Sequence, residues 1–410
     1  MNVNNPQFHL KLSLIFKMIT LVVTVIAFAN TTRAASFNIT AFGATANDES
    51  DDTKAVLAAL DACREARGGT VFVPAGTFII SRQKAESPIL ALCSNLTLRG
   101  EGASSILKDD PKVNQSNFWR MLGSSEGEVR NITIRDLHLD GSNTYPKYVK
   151  GKTPEQCHGI YFRTVKGISE NITIKDCLIE NFCGDCIGIS LGSRNVTIRD
   201  VTLRNFIRQG IQLAGREEDG NYLVTGCQDL EHSITPGGST IHVEHADGTK
   251  NIQIIANRCR NSILAGGVNG LIIRDNVVNG RIEGNGNRNI LLQGNIIRGT
   301  DSPRPLIQFG YARNLIIRDN ILIHAPANKT NEEKTKTKRI GIYVWGASRY
   351  NPEPSHDVMI RDNFIQAGDV AVSLNGVHGG DVRGNKTDHS NKAGQIISLK
   401  RTENITTDSE

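Results

Sequence analysis

The sequence predicts an all-β solenoid, on three observations. A short phrase recurs along the chain: an Asn or Asp, an alternating apolar pair, then Asp followed by Asn or a near equivalent. It reads Asn171-Ile172-Thr173-Ile174-Lys175-Asp176-Cys177, and returns at residues 195–201, 289–295, 314–320 and 357–363, with weaker copies at 131–136, 251–257 and 271–276. Units of this size are too short to bury their own apolar face and must stack on copies of themselves. Second, the apolar residues alternate with period two between Gly, Asn and Asp, the pattern of strands, and a helical pattern is confined to residues 51–67. Third, a stack keeps one continuous core however long it grows, so 410 residues are compatible with one domain.

From the N-terminus, Lys11 and Lys17 precede an apolar run at 18–29 and small residues near Ala34-Ala35. That pattern predicts a secretory signal peptide over 1–34, too short to span a bilayer, and hence a secreted or periplasmic protein. The formal charge of +5 shrinks once Lys11, Lys17 and Arg33 are removed with the leader, and a near-neutral body does not point to nucleic acid. All eight cysteines lie after the leader, where an oxidising compartment permits disulfides; Cys157, Cys183 and Cys186 are expected to fall close together, and Cys63 and Cys93 to tie a helix to the first coils.

The helix expected over 51–67 carries Val56, Leu57, Leu60 and Cys63 on one face, with Asp51 or Asp52 capping its start and Gly68-Gly69 ending it. It is expected to plug the open end of the solenoid, covering apolar residues and unpaired backbone. The opening of the body, with Gly43-Ala44, the acidic turn at Asp51-Asp52 and Gly68-Gly69-Thr70-Val71-Phe72-Val73-Pro74-Ala75-Gly76, resembles the pectate-lyase-like superfamily. With the repeats, the resemblance covers nearly all of the chain after the leader. It implies a single-stranded right-handed parallel β-helix of about ten coils over 35–400, followed by a tail at 401–410. The superfamily includes lyases, hydrolases, epimerases and tailspikes, so the fold alone does not name a reaction.

Two strand types are expected per coil: the Asn-Ile type above and a Gly-Ile type at 158–162, 185–189, 209–213, 239–243 and 340–344. Aligning the second type places Ile160, Ile187, Ile211 and Ile241 in one inward column. The outward positions then hold Tyr161 and Arg163, Gly188 and Ser190, Arg208 and Gln212, and His242 and Glu244, with a dent at Gly188 in a wall of long polar groups. Two lysine-bearing insertions flank this face, at 141–157 and 326–339. The first supplies Tyr145, Tyr148 and Lys150, aromatic and cationic groups suited to sugar rings and uronate carboxylates.

The Gly-Ile strands resemble the catalytic strands of polygalacturonases, another branch of the superfamily. Gly184-Asp185-Cys186-Ile187 is similar to that family's Asp-Asp-Cys-Ile segment, and Arg208-Gln209-Gly210-Ile211 stands where it has Gly-His-Gly. The departures are His158 for the family's first Asp, Gly184 for one of the paired Asp residues, and Gln209 for its His. Inverting hydrolysis needs two separated carboxyl groups, and only Asp185 survives, leaving Glu244 to be recruited from two coils away. Lyase chemistry needs a base and cations near the uronate carboxylate, which Tyr161, His242 and Arg208 offer.

The catalytic candidates are therefore His158, Tyr161, Asp185, Arg208, His242 and Glu244. The substrate-contacting candidates are Gln209, Gln212, Arg163, Tyr145, Tyr148 and Lys150. The expected function is a lyase acting on a uronate-containing polysaccharide, with a polygalacturonase-type hydrolase or a non-catalytic carbohydrate-binding protein as alternatives. No metal site or cofactor is called for, calcium being the one ion left open, and the chain is expected to be a monomer with no membrane contact after leader removal. Asp275, Asp319 and Asp362 look like a cation ladder but stand where Asp stabilises tight turns.

Overall fold

The computed structural model describes residues 35–408, apart from 113–117, 125–126, 144–148, 150–152, 232–237, 301–303, 326–337, 349–350, 367 and 389–394. The chain winds as a right-handed parallel β-helix whose described strands form three parallel sheets, one of fourteen strands and two of twelve. Each coil therefore has three strands, where the sequence suggested two. A typical coil runs Ser169–Lys175 in the first sheet, Leu178–Glu180 in the second and Ile187–Ile189 in the third. The second-sheet strands are mostly three residues long, too short for alternation to register as a separate pattern.

The recurring phrase has a backbone cause at both ends. Its opening Asn is left-handed at Asn131, Asn171, Asn195, Asn289 and Asn314 (φ 54 to 59°), and so is its closing Asp at Asp176, Asp200, Asp275, Asp319 and Asp362 (φ 53 to 58°). Asn and Asp are the non-glycine residues that enter this region most readily, so each coil bends at a position the sequence marks. Asp275, Asp319 and Asp362 are thus turn residues, and among the described residues no group of three or more His, Cys, Asp or Glu is placed to hold a metal ion.

Between the two bends, Ile172 and Ile174 point inward and are fully buried, paired with Ile132 and Ile134 on one side and Val196 and Ile198 on the other. The third sheet contributes its own column, in which Ile160, Ile187, Ile211 and Ile241 are direct neighbours, as the alignment required. Two ladders of Asn side chains run along the stack. The opening Asn residues form an exposed one, each Nδ2 donating to the Oδ1 of its neighbour from Asn131 to Asn251. A buried one, one residue past the closing bend, joins Asn257, Asn276, Asn295, Asn320, Asn363 and Asn385.

The helix α1 spans Thr53–Glu65 and buries Val56, Ala59, Leu60 and Cys63 against the first coils. Asp51 Oδ1 accepts from Thr53 N–H at 3.0 Å, while the buried Asp52 accepts from Thr45 N–H and Ile79 N–H instead. Its end departs from expectation, since Arg67 takes the left-handed conformation (φ 61°) and Gly68 N–H then bonds back to the Cys63 carbonyl at 2.9 Å. All eight cysteines are buried, and none is joined in a disulfide. At the other end Glu403–Thr407 is the last strand of the first sheet, paired with Val377–Arg383. The solenoid thus continues into the segment read as a tail, because Asn404 repeats the left-handed bend of the phrase.

Candidate active site

The third sheet carries a cluster of polar side chains on consecutive coils. Tyr161, Gly188, Gln212 and His242 are register partners along its outer face. Asp185 and Arg208 lie just before the strands Ile187–Ile189 and Gln209–Gly215, and stacking brings them beside His158. Arg208 is the centre: Nη1 donates to Asp185 Oδ2 at 2.8 Å and Nη2 to Glu244 Oε2 at 3.0 Å. Glu244 Oε2 also accepts from Gln212 Nε2 at 3.2 Å, and Asp185 Oδ1 accepts from Gln209 N–H at 3.1 Å.

Burial divides the candidates into two layers. His158, Asp185 and Gln209 are 1%, 0% and 4% exposed, so they lie beneath the face rather than on it, and the direct contact with a polymer expected for all three does not fit their burial. Tyr161, Arg208, His242 and Glu244 are partly exposed, and Gln212 is nearly covered. Arg163 is exposed beside Tyr161 and contributes its charge to the field at Arg120. Tyr145, Tyr148 and Lys150 lie outside the described residues.

The lower layer fixes protons in place. Asp185 N–H donates to His158 Nδ1 at 2.8 Å, which leaves the imidazole proton on Nε2, facing Gln156 Oε1 at 3.3 Å. Burial holds the His158 pKa well below the usual histidine range, and Arg120 and Arg208 push the same way. Burial also raises Asp185 to about 7, with Arg208 opposing and Glu244 reinforcing the rise. Gln209 Oε1 accepts from both Ser239 N–H (2.9 Å) and Ser239 Oγ (2.6 Å), so its Nε2 is the end that meets His242 Nδ1 at 3.0 Å. Neutral His242 therefore carries its proton on Nε2. Burial lowers its pKa, against Glu244 and with Arg208, so the neutral form is favoured.

The upper layer is shaped by Gly188. A Cβ there would stand 2.5 Å from Tyr161 Cδ2, which shows that the phenol ring leans across the glycine toward Gln212. The ring stacks on His158 (centroids 5.2 Å apart, 16° between planes), and the Arg120 guanidinium sits 4.3 Å from its centroid. Arg120 and the exposed Phe118, over whose ring the same guanidinium lies at 3.9 Å, were missed in the sequence. Their strand, Phe118–Ser124, lacks the Gly-Ile phrase, and only its pairing with Gln156–Phe162 reveals it.

Beyond His242 and Glu244 the face opens into a cleft of about 450 Å³ lined also by Leu264, Gly266, Glu283 and Asn285. A hollow of about 480 Å³ at the end of α1, lined by Arg64, Arg67 and Cys93, lies apart from the cluster.

A family profile described as "Rhamnogalacturonase A/epimerase, pectate lyase-like" matches residues 36–230. Mannuronan C5-epimerase AlgE3 of Azotobacter vinelandii is 37% identical over 108 residues, which take in 26% of this chain and 6% of that protein. Alginate lyase 7 of Azotobacter vinelandii is 32% identical over 127 residues, 28% of this chain and 15% of that protein. The chain thus spans a small part of the length of these curated relatives. Among solved structures, the A-module of the Azotobacter vinelandii mannuronan C-5 epimerase AlgE6 is similar in fold, with a TM-score of 0.57 over 91% of this chain and 100% of that one at 16% identity.

Proposed function

We propose that this chain, a member of the pectate-lyase-like superfamily of right-handed parallel β-helices, is an exported lyase of uronate-containing polysaccharides. The observation that carries this reading is the leaning Tyr161 ring, which puts a proton-transfer group over the dent at Gly188, between Arg120 and the Arg208–Glu244 pair. In a lyase step the proton on C5, alpha to the carboxylate, passes to a base. The C4–O glycosidic bond breaks, a C4–C5 double bond forms, and the departing oxygen takes a proton. Tyr161 is assigned to take the C5 proton on its phenolate oxygen, becoming the phenol. His242, with its proton held on Nε2, is assigned to donate toward the leaving oxygen or the carboxylate. The positive guanidinium of Arg208, positioned by Asp185 and Glu244, stabilises the negative charge that develops on the carboxylate.

Hydrolysis fits less well. A carboxyl raised to about 7 suits an acid, but Asp185 is fully buried and shares Arg208 with Glu244, so it cannot reach a glycosidic oxygen. Epimerisation begins with the same C5 deprotonation, and the similarity to an epimerase favours it as the second reading. Export is proposed from the leader-like N-terminus.

A panel of pectic, alginate and glycosaminoglycan polymers tests the proposal. New ultraviolet absorbance from an unsaturated uronate supports the lyase, and deuterium uptake at C5 from heavy water without cleavage selects the epimerase. New reducing ends without that absorbance would overturn both in favour of hydrolysis.

A further inference from the structure

We propose that the same groove ends in a distal uronate-binding subsite built from Trp345, Tyr343 and Arg401; this rests on reading the groove as a uronate-polymer site. The register carries the outer face unbroken from His242 through Leu264, Glu283 and Gln308 to Tyr343, and onward to Ser373. From His242 to Tyr343 is four coils, or about 19 Å at the usual strand spacing. One coil advances about as far as one sugar residue of an extended chain, so a bound polymer stays in phase with the coils.

At the far end the face changes character. Trp345 lies across Gly310 of the preceding coil, where a Cβ would stand 2.4 Å from the indole ring, and Tyr311 packs edge-on against it with centroids 4.7 Å apart. The indole is therefore a fixed, partly exposed platform, with its Nε1 turned inward, buried, and without a hydrogen-bond partner among the described residues. Beside it, Asn375 is the register partner of Trp345 and donates through Nδ2 to the Tyr343 hydroxyl at 3.4 Å. Asn375 Oδ1 in turn accepts two bonds from Arg401, from Nε at 3.1 Å and Nη2 at 2.9 Å. A neutral amide orients this guanidinium without cancelling its charge, and among the described residues no carboxylate lies within ion-pair range of it. An aromatic plate beside an oriented, unneutralised arginine is the chemistry that receives a sugar ring bearing a carboxylate.

The chain contains two tryptophans, and the other, Trp119, is buried, so Trp345 is a built-in reporter. Oligouronates long enough to span the groove are titrated against the full chain while tryptophan fluorescence and calorimetry are followed in parallel. The subsite predicts a saturable fluorescence change that is absent in Trp345→Phe, and an affinity about tenfold lower in Arg401→Gln. In turnover assays both variants raise KM for long chains and leave kcat unchanged. Calorimetric binding with no fluorescence change, or unaltered affinity in Arg401→Gln, overturns the subsite while leaving the enzymatic reading intact. A fluorescence change without turnover of any polymer keeps the subsite and overturns the lyase, and no binding at all overturns both.

Discussion

Two residues near the centre of the cluster carry consequences that can be measured one at a time. Gly188 lets the Tyr161 ring cross its coil, and Gly188→Ala puts a methyl group 2.5 Å from that ring. The ring is held between His158 and Arg120, so it must shift. The expected result is a loss of turnover of about 10²-fold with the thermal transition nearly unchanged, since misplacement of this size is costly to catalysis. Asp185 carries a pH signature. Its pKa in the folded chain, about 7, exceeds the unfolded value of about 3.9, so the stability it contributes is complete below about pH 4 and is lost as pH rises toward 7. His158 works in the opposite sense, its contribution being present above its unfolded pKa and lost as pH falls through its depressed value. Asp185→Asn removes the first effect alone. Urea unfolding across this pH range should show wild type losing stability relative to the variant between about pH 4 and 7, and a pH-independent difference would contradict the assignment.

Among the elements, the two Asn ladders look alike in sequence and differ in energy. Asn295 in the buried ladder accepts from Asn276 N–H and Nδ2, and donates to the Ile273 carbonyl and to Asn320. Asn295→Ala leaves several buried partners unsatisfied and is expected to cost about 3 kcal/mol in denaturant unfolding. Asn289 sits in a second, shorter exposed run, in which Asn314 donates to Asn289 and Asn289 to Asn269, at a left-handed position whose register neighbour is Gly270 at φ 89°. Asn289→Gly keeps that conformation and is expected to change stability by under about 1 kcal/mol. The phrase itself was legible because its Asn and Asp do backbone work that few residues can replace. The second sheet was not, since strands of three residues such as Leu178–Glu180 give no period. The cap of α1 was half legible: Asp51 bonds as expected, but which residue took the left-handed end, Arg67, depended on packing against the first coils.

On the scale of the whole molecule, one register relation decides both fold and site. Fixing Ile160, Ile187, Ile211 and Ile241 in one column fixes Tyr161, Gly188, Gln212 and His242 on the opposite side of the same strands, and that much followed from alternation alone. What alternation could not give was depth: His158, Asp185 and Gln209 carry catalytic-looking side chains yet sit under the face, because burial depends on how neighbouring coils cover them. Nor could it supply Arg120, whose strand shares no phrase with its neighbours. The stack also leaves its first coil dependent on α1, so Leu60→Asp, placing a charge at a fully buried position, should expose that end and produce association in size-exclusion chromatography. The central claim is that these coils form one groove in which Tyr161 takes the proton alpha to a uronate carboxylate. Proton NMR of a uronate polymer in heavy water, with wild type and Tyr161→Phe side by side, tests it most directly. Wild type should produce a vinylic C4 proton signal or deuterium at C5, and Tyr161→Phe should produce neither at a comparable rate; cleavage with neither signal, or an undiminished rate in the variant, would contradict it.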